Sequence, residues 1–106
     1  MNQALRLLIV EDVPDVALLI KSILVNHGFA VDYQVVDCAE SMRAALDGRE
    51  WDLITSDHSM PHFNAVEALA LARELRPQVP FIIVSGEIDL QLAVALVKAG
   101  ANDYVP

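Results

Sequence analysis

The sequence predicts a doubly wound α/β domain, a five-stranded parallel sheet with helices packed on both faces. Three observations lead there. Short apolar runs alternate with helix-period patterns along the whole chain. Proline and glycine fall where a helix should begin and end. No internal repeat, low-complexity tract or linker interrupts the 106 residues, which suffice for one compact domain and not two. Strand–helix alternation means βαβ units, and right-handed crossovers then leave a doubly wound sheet.

The elements follow in order. Residues 5–10 form an apolar run with one arginine, the first strand. Residues 14–27 form the first helix, with Val16, Leu19, Ile20, Ile23 and Leu24 on one face, Pro14 in the first turn and Gly28 at the end. Residues 31–36 alternate and are rich in β-branched side chains. Asp37, with Glu40 three positions on, reads as the capping box of a second helix whose inner face is Met42, Ala45 and Leu46, ending at Gly48. Residues 51–56 are the third strand. Residues 64–76 are the third helix, with Asn64 as cap and Pro77 beyond its end. Residues 81–84 have the composition of a fully buried strand. A fourth helix spans 89–99, with Leu90, Ala93, Val94 and Val97 inward and Gly100 after it; 102–105 begin a fifth strand.

Composition narrows the function. The hydrophobic fraction of 55% implies a sizeable core, yet no apolar run approaches a membrane span and the N-terminus has no signal-peptide pattern. A single cysteine, Cys38, forms no internal disulfide and suits a reducing cytoplasm; it reads as a small packing residue. The net charge of −8 argues against direct contact with nucleic acid and suits a divalent cation or a basic partner protein.

In doubly wound sheets, ligands bind beyond the carboxyl ends of the strands, near the reversal of strand order. The first strand is followed there by Glu11 and Asp12, the third by Asp57, and the fourth by Ser85 and Gly86. With strand order 2-1-3-4-5, Glu11, Asp12, Asp57 and Ser85 converge on one rim. Crowded carboxylates repel unless a cation joins them. Magnesium accepts one or two carboxylates and shares its shell with phosphate oxygens. A carboxylate beside it can attack phosphorus and form an acyl phosphate.

These residues resemble, over essentially the whole chain, the receiver domain of two-component response regulators, whose fold is flavodoxin-like. The resemblance rests on Glu11-Asp12, on Asp57 followed by Met60-Pro61, on Ser85 after the fourth strand, and on the run from Gly100 through Ala101, Asn102 and Asp103 to Tyr104. It implies that Asp57 is the phosphoacceptor, served by a histidine kinase or histidine phosphotransfer protein. Asp12, Glu11, Asp57 and the backbone carbonyl of Ser59 would hold Mg2+ or Mn2+. Ser85 would contact the phosphoryl group, and Tyr104 would be the aromatic coupled to that contact. The domain would be a cytoplasmic switch rather than an enzyme.

Two departures accompany the resemblance. Where the family often has glycine, four residues after the motif proline, this chain has Ala65, strained if that position needs positive φ. The family's lysine, three residues after the tyrosine position, would follow Pro106 directly, and the last helix would lie beyond it. The expectation is one receiver domain over 1–106, truncated at its C-terminus, with an uncovered sheet face or the fourth helix open to self-association.

Other readings of the same residues are plainer. Asp12 alone would serve as a helix cap. His58 and His62 flank Met60-Pro61, but Pro61 breaks the helical spacing that would align them on a transition metal. His27 suits a helix C-terminus, and Trp51 suits packing at a strand start. Aspartyl phosphatases place their acid at the first strand with a second aspartate two residues on, whereas Ser59 stands two after Asp57. A flavin phosphate would be repelled by Glu11 and Asp12. The alternative to the switch is a pseudo-receiver, a phosphorylation-independent interaction module.

Overall fold

The computed structural model describes residues 3–57, 60 and 63–84. They form β1 (Gln3–Val10), α1 (Pro14–Asn26), β2 (Phe29–Val36), α2 (Ala39–Gly48), β3 (Leu53–Ser56), α3 (Ala65–Leu75) and β4 (Phe81–Ile83). The strands are parallel and lie in the order β2-β1-β3-β4. This is the expected doubly wound order across the described strands. The helix expected at 89–99 and the strand expected at 102–105 lie outside the described residues.

β1 is the axis of the sheet, paired on both sides, and its alternation sorts the core into two layers. Leu8 and Val10 point with Ile54 and Phe81 toward α2 and α3, where they meet Met42, Leu46, Ala68 and Leu71. Leu5, Leu7 and Ile9 point with Leu53 and Ile82 toward α1, against Ala17, Ile20 and Leu24. Leu5, Leu7, Ile9, Leu53 and Ile82 are at most 1% exposed. Among the described residues, exposed large apolar side chains lie mostly on α1 and β2, at Val16, Leu18, Leu19, Val25, Tyr33 and Val35, with Val13 ahead of α1 and Val66 on α3.

That location reflects a different inner face of α1 from the one expected. Ala17, Ile20 and Leu24 are buried, while Val16 and Leu19 face outward. α1 is apolar nearly all the way round, so periodicity alone defines its inner arc poorly. The small Ala17 sits at the contact and lets the helix approach the sheet. At its end, Gly28 takes φ +96°, and the His27 ring lies 2.9 Å from the Ile23 carbonyl through Nδ1.

α2 begins one residue later than expected. Cys38, not Asp37, is the cap: its Sγ accepts from the Ser41 N–H at 3.5 Å, and Ser41 Oγ accepts from the Cys38 N–H at 3.3 Å. Asp37 is thereby left at the end of β2. Cys38 is a capping residue rather than packing. α3 matches its reading, with Asn64 Oδ1 accepting from the Glu67 N–H at 2.9 Å. Ala65 opens this helix. No non-glycine residue among those described has positive φ, so the anticipated strain at Ala65 is not present.

β3 is shorter than the run of residues that predicted it. Asp52 lies just before it: its N–H donates to the Arg6 carbonyl at 2.8 Å, and its carboxylate clamps Arg6, accepting from the backbone N–H at 2.8 Å, from Nε at 3.1 Å and from Nη2 at 3.0 Å. Trp51 is buried and donates Nε1–H to the Ala45 carbonyl at 2.9 Å. Arg49 lies over its ring, 4.8 Å from the centroid, and pairs with Asp32 at 2.6 Å. Arg76 donates to the Arg49 carbonyl at 3.4 Å, and Arg73 to the Val79 carbonyl at 3.0 Å. Four arginines thus gather at the edge where the strands begin.

Thr55 is fully buried on β3, between Ile9 and Ile82 in the ladder, and its Oγ1 has no hydrogen-bond partner among the described residues. An unsatisfied buried hydroxyl costs about 1 kcal/mol or more. Thr55→Val keeps the shape and removes the polar atom, so urea unfolding should show a gain of about 1 kcal/mol.

Candidate functional site

The site is built from backbone outward. The Glu11 N–H donates to the Val36 carbonyl at 2.9 Å, and the Asp57 N–H donates to the Val10 carbonyl at 2.9 Å. Each acid is therefore the first residue past its strand, still held by the ladder. The register sets Val10 beside Val36 on one side and Ser56 on the other. Glu11, Asp12 and Asp57 consequently share one edge, and each offers a carboxylate oxygen within 4.8 Å of the others.

The three acids differ in surroundings. Glu11 is 5% exposed, Asp57 half-buried and Asp12 exposed. Glu11 Oε2 accepts from the Asp12 N–H at 2.9 Å and the Val13 N–H at 3.3 Å, folding its carboxylate over the entrance to α1. Val13, the cap position of α1, has no side-chain cap of its own. Asp12 is therefore not the cap that the plainer reading made it. Burial pushes the Glu11 carboxyl up, the Val13 N–H opposes this, and the charge of Asp57 adds to it; the result is about 6.

Two apolar side chains follow Asp57 among the described residues. Met60 and Phe63 are both buried in the α2–α3 layer, and the Met60 N–H donates to the Phe63 carbonyl at 3.1 Å. The role of Phe63 was not read from the sequence; a large aromatic in an otherwise polar loop was the available signal. Of the predicted site residues, Glu11, Asp12 and Asp57 are brought together. Ser59, Ser85 and Tyr104 lie outside the described residues, as do His58 and His62.

The donor set at this edge is three carboxylates. An all-oxygen, anionic set of this kind fits a hard divalent cation such as magnesium, whose charge would offset that of the acids.

Comparison with known proteins agrees with this geometry. The profile of the response regulator receiver domain family matches residues 7–106. The chain belongs to that family. It is similar to the chemotaxis protein CheY of Bacillus subtilis (strain 168), with 29% identity over 100 residues that cover 94% of this chain and 82% of that protein. It is also similar to the transcriptional regulatory protein FixJ of Rhizobium meliloti (strain 1021), with 36% identity over 98 residues, 92% of this chain but 47% of that protein. Among solved structures, the receiver domain of a Pseudomonas aeruginosa PAO1 sensor histidine kinase has the same fold. Its TM-score is 0.66 at 22% identity, covering 96% of this chain and 84% of that one; that structure holds a magnesium ion in its active site cleft. NtrX from Brucella abortus matches with TM-score 0.67 and 25% identity, over 97% of this chain and 23% of that one.

In this receiver domain the sign of the Glu11 shift sets a pH dependence. The folded value of about 6 exceeds the ordinary 4.5, so protonation favours the folded state, and this contribution to stability is lost as pH rises from 4.5 through 6. Asp57→Asn removes a like charge. Carboxyl NMR titration of the metal-free protein should place the Glu11 midpoint near 6 and lower in the variant; an unchanged midpoint would mean that burial alone sets it.

Proposed function

We propose that the domain is a phosphorylation-controlled signalling switch in which Asp57 accepts a phosphoryl group from a histidine kinase or histidine phosphotransfer protein. The observation that carries this reading is the convergence of Glu11, Asp12 and Asp57 within 4.8 Å at the carboxyl edge of the sheet, in a chain of the receiver family. An Asp57 carboxylate oxygen attacks phosphorus. The P–O bond forms as the P–N bond to the donor imidazole breaks, leaving an acyl phosphate on Asp57.

Asp57 suits the role by position. Its N–H is tied to Val10, which fixes the base of the side chain, while the carboxylate is half-buried and reachable. Asp12, exposed at the rim, and Glu11, behind it, would hold Mg2+ with Asp57 and the Ser59 carbonyl. The bound cation would offset the charge of the acids and of the incoming phosphoryl oxygens. Ser85 would donate its hydroxyl to the phosphoryl group, and Tyr104 would follow that contact. The domain turns over no substrate of its own beyond accepting and losing the phosphoryl group. No described helix is long and apolar enough to cross a membrane.

The test is intact-mass analysis after incubation with a small acyl-phosphate donor. The expected result is addition of one phosphoryl group, abolished by removal of divalent cation and abolished in Asp57→Asn. No addition under any condition, including in a chain extended past Pro106, would replace this reading with a phosphorylation-independent interaction module.

A further inference from the structure

We infer that the cleft between α1 and β2 is a binding site for a small organic cation, an ammonium or amidinium group carried on an apolar body. The cleft has a volume of about 440 Å3, within the range of small-molecule sites. Its walls are apolar and come from two elements: Pro14, Ala17 and Leu18 on the α1 side, Tyr33 and Val35 on the β2 side. Its remaining lining includes Glu11, Asp12 and Asp37, and no basic side chain among the described residues.

Each half of the ligand follows from one half of the lining. Leu18, Tyr33 and Val35 are 48%, 36% and 40% exposed, so a bound apolar body would cover surface that now faces water. Tyr33 adds an aromatic face, which attracts cations as well as apolar groups. The carboxylates select the sign of the head group, and the net charge of −8 reinforces it. A phosphate or carboxylate ligand would be repelled. A bare metal ion has no use for the apolar walls.

The cleft is not the carboxylate cluster under another name. Asp57 does not line it, whereas Asp37 does. Asp37 is available because the capping of α2 falls to Cys38. β2 is an edge strand, so its outer flank carries no neighbouring strand among those described. The inference stands apart from phosphoryl transfer, although Glu11 and Asp12 border both sites.

The experiment uses the isotope-labelled full chain without divalent cations, followed by NMR of amides and methyls. The probes are 4-phenylbutylamine, its neutral counterpart 4-phenylbutan-1-ol, and the anion 4-phenylbutyrate. The amine should shift Leu18, Tyr33 and Val35 saturably and bind about threefold or more tighter than the alcohol, the scale of a partly exposed charge pair. The acid should shift none of them. Asp37→Asn should weaken the amine and leave the alcohol unchanged, and Tyr33→Ala should weaken both, with the Trp51 indole signal reporting that each variant remains folded. Equal binding of amine and alcohol would overturn the inference, reducing the cleft to an uncharged apolar patch. Unsaturable shifts spread over exposed acids such as Asp15, Glu40 and Glu74 would overturn it as well, as would no shift at all.

Discussion

The parallel pairing of β1 with β3 is the interaction on which the rest depends. It sets Val10 beside Ser56, so the residues that follow each strand emerge together at one edge. A register change of one residue would turn every core side chain of β3 to the opposite face, exchanging Ile54 for Leu53 and Thr55 in the α2–α3 layer. The same change would separate Asp57 from Glu11 and Asp12. Core packing and the site are therefore fixed by one set of backbone bonds. The hydrophobic core holds the carboxylates near one another against their repulsion.

That arrangement carries local costs, and the structure shows where they are met. Glu11 is almost fully buried, but two backbone N–H groups at the entrance to α1 satisfy one of its oxygens. Those donors belong to the cap residue Val13 and to Asp12 just before it. Met60 and Phe63, which follow Asp57, are buried in the α2–α3 layer. The acids at this edge are thus held by bonds and packing that do not require a ligand.

Much of this was legible in the sequence because it depends on local chemistry. The continuous apolar run of β1 marks a strand buried on both faces, and acids directly after such runs mark the carboxyl edge of a parallel sheet. Asn64 with Glu67 three residues on marks the start of α3 wherever that helix packs. Other features were not legible because distant residues decide them. Whether Asp37 or Cys38 caps α2 depends on where β2 ends, and the pairing of Val36 with Val10 decides that. The clamp of Asp52 on Arg6 joins residues remote in sequence. The inner face of α1 depends on which side chain is small enough to meet the sheet, a question that apolar periodicity does not answer.

The arginines at the opposite edge have a consequence of their own. Arg49, Arg73 and Arg76 lie at or near the ends of α2 and α3, where the helix dipoles favour positive charge, and Arg6 joins them through Asp52. The carboxylates of the site occupy the other end of the same strands. Ion pairs with Asp32, Glu50 and Asp52 offset part of that positive charge, so the domain carries its charge unevenly along the sheet, more negative at the site edge. In an external field, including that of an approaching charged surface, it experiences a torque as well as a force. A positively charged surface would turn the carboxylate edge toward itself before contact. This orienting effect would fade as added salt shortens the Debye length below about 10 Å, a fraction of the length of the domain.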